Sequence, residues 1–315
     1  MAFSRLVVPR VGSAVTEIDS TESRTLVGHS DDDLEIRANT TKAAASTDDV
    51  APEILIGSSD NTGDDRQILT NLKVGSVSIS FDTRTIAEII SILTRATPTK
   101  WQTVVTPNLH HINLIEKDPE LASIYSNAGI VLPDGWPVAW VLSRVKGCRV
   151  GRVAGSDLLE LLLSADGKGK PLVLVGGRDE MAVKVVERRA KLAGWAVVSE
   201  PAPPSELANE QSRNALQARV AAAGTDGVVV LGLGAPKQEQ FATALASGPG
   251  QGYILCLGMA INFSAGVMKR APSWMQKAKI EWLHRILQER QRLLPRYVND
   301  ARSLVPLMIN NVRSR

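Results

Sequence analysis

Cysteine is scarce in this chain, long apolar runs are missing, and the common phosphate- and metal-binding signatures are absent; each gap removes a class of protein. The 2 cysteines among 315 residues, Cys148 and Cys256, stand far apart with no histidines at metal-ligand spacing. They read as two buried thiols in a reducing compartment, so neither a disulfide framework nor a zinc site is expected. No apolar run reaches the roughly 18 residues that a membrane span needs. At the N-terminus Leu6-Val7-Val8 is cut off by Pro9-Arg10, too short for a signal-peptide core, and a cytoplasmic protein is expected. A dinucleotide fingerprint needs G-x-G-x-x-G after a first strand and an acidic residue about twenty positions on; neither that nor a Walker A sequence is present. The letters of an Asp-x-Asp metal motif occur at Asp31-Asp32-Asp33, away from any expected strand end. His110 and His111 are adjacent on an expected helix and point apart, so no metal role is assigned to them.

What is present is apolar content of 44%, enough for a sizeable core, and an uneven distribution of charge. Residues 1–70 carry 6 Lys and Arg against 13 Asp and Glu, while 266–315 carry 11 against 3, so the net +3 hides an acidic start and a basic end. Residues 1–70, rich in Ser, Thr, Asp and Ala and without a sustained period, read as a disordered acidic tail. Val77, Ile79 and Phe81 then alternate like a half-exposed strand, followed by a helix capped at Asp82 or Thr83 that carries Ile86, Ile89, Ile90 and Leu93. Continuous apolar runs at Leu172–Val175, Ala196–Val198, Val228–Leu231 and Tyr253–Leu257 alternate with amphipathic stretches, which predicts parallel strands covered on both faces. The expected fold class is α/β, a Rossmann-like, mainly parallel sheet across residues 71–272. Residues 273–315 read as a basic amphipathic appendage. Ser273 can cap a helix with Met275, Ala278, Trp282 and Ile286 in one stripe, and a second short helix after Pro295 holds Leu304, Leu307 and Met308. Its arginines suit an anionic membrane surface; no nucleic-acid partner is expected.

Three stretches between Thr103 and Asp157 gather polar chemistry at strand ends. Thr103-Val104-Val105 breaks at Thr106-Pro107-Asn108, and Ile130-Val131-Leu132 stops at Pro133-Asp134-Gly135, which delivers a carboxylate at the tip of a neighbouring strand. Strand carboxyl ends form the ligand crevice of an open α/β sheet. Arg152, Gly155, Ser156 and Asp157 precede the leucine run 158–163, and an arginine beside a helix N-terminus suits a phosphate. Ser156-Asp157 reads as that helix's cap. Glycine turns at Gly176-Gly177 and Gly232-x-Gly234 let backbone N–H groups approach an anion, or simply tighten βα turns. Each motif alone also has a plain turn or cap reading.

In order and spacing these residues resemble the WecG/TagA/CpsF family of bacterial glycosyltransferases, glycosyltransferase family twenty-six, from about Val74 to Tyr297. The likeness includes Thr106-x-Asn108, Asp118-Pro119, Pro133-Asp134-Gly135, Arg152-x-x-Gly155-x-Asp157 and Gly234-x-Pro236-Lys237-Gln238-Glu239. It continues through Gly266, Arg270-Ala271-Pro272, Glu281-Trp282-x-x-Arg285 and Arg296-Tyr297. The resemblance implies an inverting transferase moving a hexose or N-acetylhexosamine, of N-acetylmannosamine or glucose type, from a UDP-sugar to a polyprenyl-diphosphate-linked saccharide. No metal cofactor is implied. Asp134 matches the catalytic aspartate, with Thr106 and Asn108 lining the pocket near the donor sugar or the base. Arg152, with Gly155 and Asp157, falls to the diphosphate, and Gln238 and Glu239 to the nucleotide side, with Lys237 either beside them or a surface lysine. The family's C-terminal appendage is linked with membrane association and with completing the active site of the monomer, here through Arg285, Arg292 and Arg296. The implied location is the inner face of the cell membrane, with homo-oligomerisation left open. Two other readings stand beside this one: a nicotinamide-dependent sugar oxidoreductase, disfavoured by the missing fingerprint, and a non-catalytic nucleotide-binding membrane-recruitment module.

Overall fold

The computed structural model describes residues 68–177, 179–267, 272, 275, 283 and 290–312. Up to residue 67 the acidic tail lies outside the described residues, and its last two positions belong to a strand. That strand, β1 (Leu69–Val74), pairs antiparallel with β2 (Val77–Asp82) in a register running from Leu69 opposite Asp82 to Val74 opposite Val77. Gly75 at the turn has φ +56, in the left-handed region that glycine enters without a Cβ penalty. Leu72, Val74, Ile79 and Phe81 put their side chains into the core. The expected alternation in β2 is thus present, with a partner strand that the periodicity did not reveal.

The first helix, α1 (Ile86–Arg95), is capped by Thr85, not by Asp82 or Thr83. Thr85 Oγ1 accepts from Glu88 N at 3.3 Å, and Thr85 N donates to Glu88 Oε2 at 2.7 Å, a reciprocal capping box. The two expected caps are engaged elsewhere: the Asp82 carboxylate takes the Arg84 guanidinium, and Thr83 donates from N and Oγ1 to Ile68 O.

The main sheet has six parallel strands: β3 (Trp101–Val105), β4 (Ile130–Val131), β5 (Pro171–Gly176), β6 (Ala196–Glu200), β7 (Gly227–Gly232) and β8 (Gly252–Cys256), in the order β4-β3-β8-β7-β5-β6. Successive residues point to opposite faces. Val105, Val173, Val175, Val229, Leu231 and Ile254 face one core, shared with α2 (Leu109–Lys117), α3 (Pro119–Ser126), α4 (Trp136–Lys146), α8 (Glu210–Gly224) and α9 (Lys237–Ala246). Val104, Leu172, Leu174, Val228, Val230 and Leu255 face the other, shared with α1, α5 (Gly155–Ser164), α6 (Glu180–Leu192) and α10 (Ala260–Ser264). A short α7 (Pro204–Ala208) leads into α8. Each fully buried Val, Leu or Ile contributes about 1.5–3 kcal/mol, which is why these strands read as unbroken apolar runs and not as alternating ones. The α/β, Rossmann-like expectation is met.

The C-terminal helix α11 (Arg290–Val312) is continuous through Pro295 and Pro306, whereas the sequence predicted a break at Pro295. Packing overrides the missing N–H groups. Leu307 is buried in the first core, with Leu304 and Met308 against it. Buried Asp300 accepts from Asn113 Nδ2 at 3.0 Å and pairs with His110 Nδ1 at 2.9 Å. Asn311 brackets β1, taking Lys73 N on Oδ1 at 2.7 Å and giving Nδ2 to Lys73 O at 2.9 Å. The helix expected from Ser273 lies outside the described residues apart from buried Met275 and exposed Leu283.

Candidate functional site at the strand carboxyl ends

The site begins where the β3–β4 ladder outlasts the strands themselves. Leu132 N donates to Val105 O at 2.9 Å and Asp134 N to Pro107 O at 3.2 Å, so parallel pairing carries on to the tips of both chains. This continuation brings Asp134 beside Asn108. Asn108 caps α2: its Oδ1 accepts from His110 N at 3.0 Å and His111 N at 3.4 Å. Because the cap needs the carbonyl end of the amide turned inward, the NH2 end points outward and donates to Asp134 Oδ2 at 3.4 Å. The His111 ring closes the cap, its Nδ1 lying 2.9 Å from Asn108 Oδ1 and 3.2 Å from Asn108 N. The Asp134 carboxyl group is therefore half-buried near the positive end of α2, its backbone held by the continued ladder.

Thr106 is 8% exposed, and its Oγ1 donates to Cys256 O at 3.5 Å, tying the end of β3 to that of β8. Against it sits the start of α5. A Cβ on Gly155 would come 3.3 Å from Leu257 O and 3.4 Å from Thr106 Oγ1, so glycine is what lets this helix approach the two strand ends. The α5 N-cap is Ala154, with no side-chain cap; Ser156 and Asp157 lie one step further in, in the first turn, and Ser156-Asp157 is not the cap that the sequence predicted. The Arg152 loop is fastened to the β4 turn by Val153 N donating to Pro133 O at 2.8 Å, and Arg152 Nη2 donates to Asp157 Oδ2 at 3.2 Å. Side chains about 30% exposed make this pair worth little in stability, but it ties the Arg152 guanidinium to the first turn of α5.

Six predicted residues, Thr106, Asn108, Asp134, Arg152, Gly155 and Asp157, are thus linked into one cluster by contacts among themselves and their neighbours. The second predicted group stands along the same sheet edge, beyond β7 and β5. Gly176 (φ +81) and Gly234 (φ +76) take left-handed conformations at those strand ends. Lys237 is exposed on the first residue of α9. Gln238 and Glu239 instead turn inward, at 2% and 1% exposure. Gln238 Oε1 accepts from Gly258 N at 2.9 Å and its Nε2 donates to Glu239 Oε1 at 2.9 Å, which also accepts from Tyr125 OH at 3.0 Å. Burial pushes the Glu239 carboxyl above its usual range, and it raises the Tyr125 phenol and the Cys256 thiol as well. Glu239 Oε2 is buried without a hydrogen-bond partner, which agrees with a carboxyl that resists ionisation.

Sequence reasoning missed Tyr125, Gly258 and His111 as partners of these residues; only the capping-box spacing from Asn108 to His111 carried a readable signal. Of the two expected buried thiols, Cys256 is buried and Cys148 is exposed, because it follows Gly147 at the left-handed end of α4 in a surface loop. His110 and His111 engage different partners, as their adjacency implied. The backbones of Arg292 and Arg296 lie on α11, and Arg285 is outside the described residues. Among the described residues no helix is long and apolar enough to cross a membrane. A family model, Glycosyl transferase WecG/TagA/CpsF family, matches residues 74–315, well over half of the sequence and the whole of this cluster. The chain belongs to the Glycosyl transferase WecG/TagA/CpsF family, glycosyltransferases of cell-surface polysaccharide synthesis.

Proposed function

We propose that the protein transfers a hexose or N-acetylhexosamine from a UDP-sugar to a polyprenyl-diphosphate-linked saccharide, with inversion at the anomeric carbon and without a metal cofactor. The observation that carries this reading is the Asp134 carboxylate, placed 3.4 Å from the Asn108 amide at two paired strand ends, with the loop that bears Arg152 fastened to the same turn through Val153 N and Pro133 O. A carboxylate so placed takes the proton of the acceptor hydroxyl as that oxygen attacks the sugar. The C–O bond to the diphosphate breaks on the opposite face, and the departing charge is met by Arg152, whose planar fork suits a phosphate. Asn108 orients the base, and Thr106 lines the floor between β3 and β8. Gly176, Gly234 and Lys237 edge the nucleotide side, while Gln238 and Glu239 support it from within.

The basic C-terminal stretch, with Arg285, Arg292 and Arg296, supports docking on an anionic membrane surface, where a polyprenyl acceptor resides; each such arginine is worth about 1 kcal/mol there. On this reading the enzyme works at the inner face of the cell membrane. The test is incubation of the full chain with a panel of UDP-sugars, NAD(P)H and a lipid-linked acceptor. UDP release that requires the acceptor supports the reading. Oxidation of NAD(P)H without UDP release overturns it in favour of a sugar oxidoreductase, and neither signal leaves a binding module.

A further inference from the structure

Four tryptophans lie among the described residues, and the fold accounts for three of them. Trp101 and Trp195 are buried and donate their indole N–H groups to Pro249 O at 2.9 Å and Ala165 O at 3.1 Å. Trp140 is half-buried, with the Arg144 guanidinium 5.2 Å above its ring. Trp136 differs on both counts. The residue is 41% exposed, and its N–H has no hydrogen-bond partner among the described residues.

An isolated exposed apolar side chain needs no explanation in itself, but the place of this one does. Trp136 is the first residue of α4 and stands two residues after Asp134, so their Cα atoms are at most about 7 Å apart. Its backbone is anchored on both sides. Gly135 packs near the Asn108 Cβ, and Pro137 and fully buried Val138 follow in the first turn. The indole is therefore a flat apolar plate with a free polar edge, carried by a residue two along from the base. A pyranose has the matching shape: a face of C–H bonds that the electron-rich face of an aromatic ring attracts, edged by hydroxyls that accept from an N–H.

We infer that Trp136 stacks on the pyranose ring whose bond Asp134 makes or breaks, and that it thereby contributes to the choice of sugar. The inference rests on the glycosyl-transfer reading above. The pyranose belongs either to the UDP-sugar or to the terminal sugar of the lipid-linked acceptor, and the experiment separates these sources.

The full chain is oxidised briefly with N-bromosuccinimide, and the Trp136 peptide is quantified by mass spectrometry with UDP, with a UDP-sugar, with the lipid-linked saccharide, or with phosphatidylglycerol vesicles alone. Protection by the UDP-sugar beyond that of UDP assigns the ring to the donor; protection by the saccharide beyond that of vesicles assigns it to the acceptor. In parallel, Trp136→Ala is expected to raise KM for the protecting substrate about tenfold with its melting temperature unchanged, and Trp136→Phe to keep most of the affinity. Equal protection by UDP overturns the proposal in favour of base stacking, and protection by bare vesicles overturns it in favour of membrane contact. Wild-type kinetics in Trp136→Ala overturn it while leaving glycosyl transfer standing. A wild-type chain that transfers no sugar removes both.

Discussion

The carboxyl ends of β3 and β4 and those of β5 and β7 lie along one edge of the same sheet, yet they are built from different material. The first pair carries side-chain chemistry on a backbone ladder that runs past the strands, with Thr106 tied to the end of β8, Asn108 to Asp134, and the Arg152 loop fastened to the β4 turn. The second pair ends in Gly176 and Gly234, whose contribution is backbone in left-handed conformations. A reacting group must be held within a fraction of an ångström, which a ladder and a helix cap accomplish. An anion needs N–H groups that can come close, which glycine permits. Under the proposed function, the ladder end carries the base and the diphosphate contact of Arg152, and the glycine end holds the nucleotide.

The strongest way to break that assignment is Asp134→Asn, which keeps the shape and removes the base: turnover is expected to fall about a hundredfold or more while UDP affinity, measured by calorimetry, stays within about twofold. Equal losses in both would dissolve the distinction. Next in size, Arg152→Ala is expected to raise the donor KM about tenfold, and Arg152→Lys to recover little, since an ammonium offers a point charge where a guanidinium offers a fork. If lysine restores the donor KM, the two-point contact is wrong. On the glycine side, Gly234→Ala meets no atom within 4 Å, so it carries only the left-handed penalty. That penalty, about 1–2 kcal/mol, is expected to lower Tm by several degrees and to weaken UDP binding, with kcat near that of wild type.

The smallest effect concerns the support beneath α9. Folding raises the Glu239 pKa through desolvation, so ionised Glu239 opposes the folded state. This destabilisation is absent below the unfolded value, about 4.3, grows as the pH rises through it, and is complete above the raised folded value. Glu239→Gln keeps an acceptor for Tyr125 and Gln238 and is expected to raise Tm at pH 7 by no more than about 2 °C, the gain vanishing near pH 4. A mutant less stable at pH 7 would mean that the carboxylate form is the one the pocket holds.

The sheet was legible because its central strands are covered on both faces, which leaves runs such as Val228–Leu231 with no polar interruption. The turns after them were legible for the complementary reason, since Pro107, Pro133, Gly135 and Gly234 stop a strand whatever surrounds it. Features decided by distant partners were not. The break expected at Pro295 fails because Asp300 and Asn311 clamp α11 to α2 and β1, a contact no local window contains. The Asp82 cap fails because Arg84 claims the carboxylate first. Gln238 and Glu239 were expected on the nucleotide side, and only the packing of Tyr125 and Gly258 against them shows that their side chains face inward. Asp134 itself was readable, but its tie to Asn108 follows from a ladder that outlasts its strands, and apolar runs do not mark where such pairing ends.

The account rests on one carboxylate acting as a base at the β4 tip, and the stereochemistry of transfer tests that most directly. With a base and no enzyme nucleophile, the acceptor oxygen displaces the diphosphate in a single step, so an α-linked UDP-sugar is expected to give a β-linked product. NMR of the isolated lipid-linked product reads the one-bond C1–H1 coupling, which separates the anomers of manno- and gluco-configured sugars alike. A β linkage for a donor that Asp134→Asn no longer turns over is the predicted result; an α linkage would require a covalent or front-face route and would contradict the role given to Asp134.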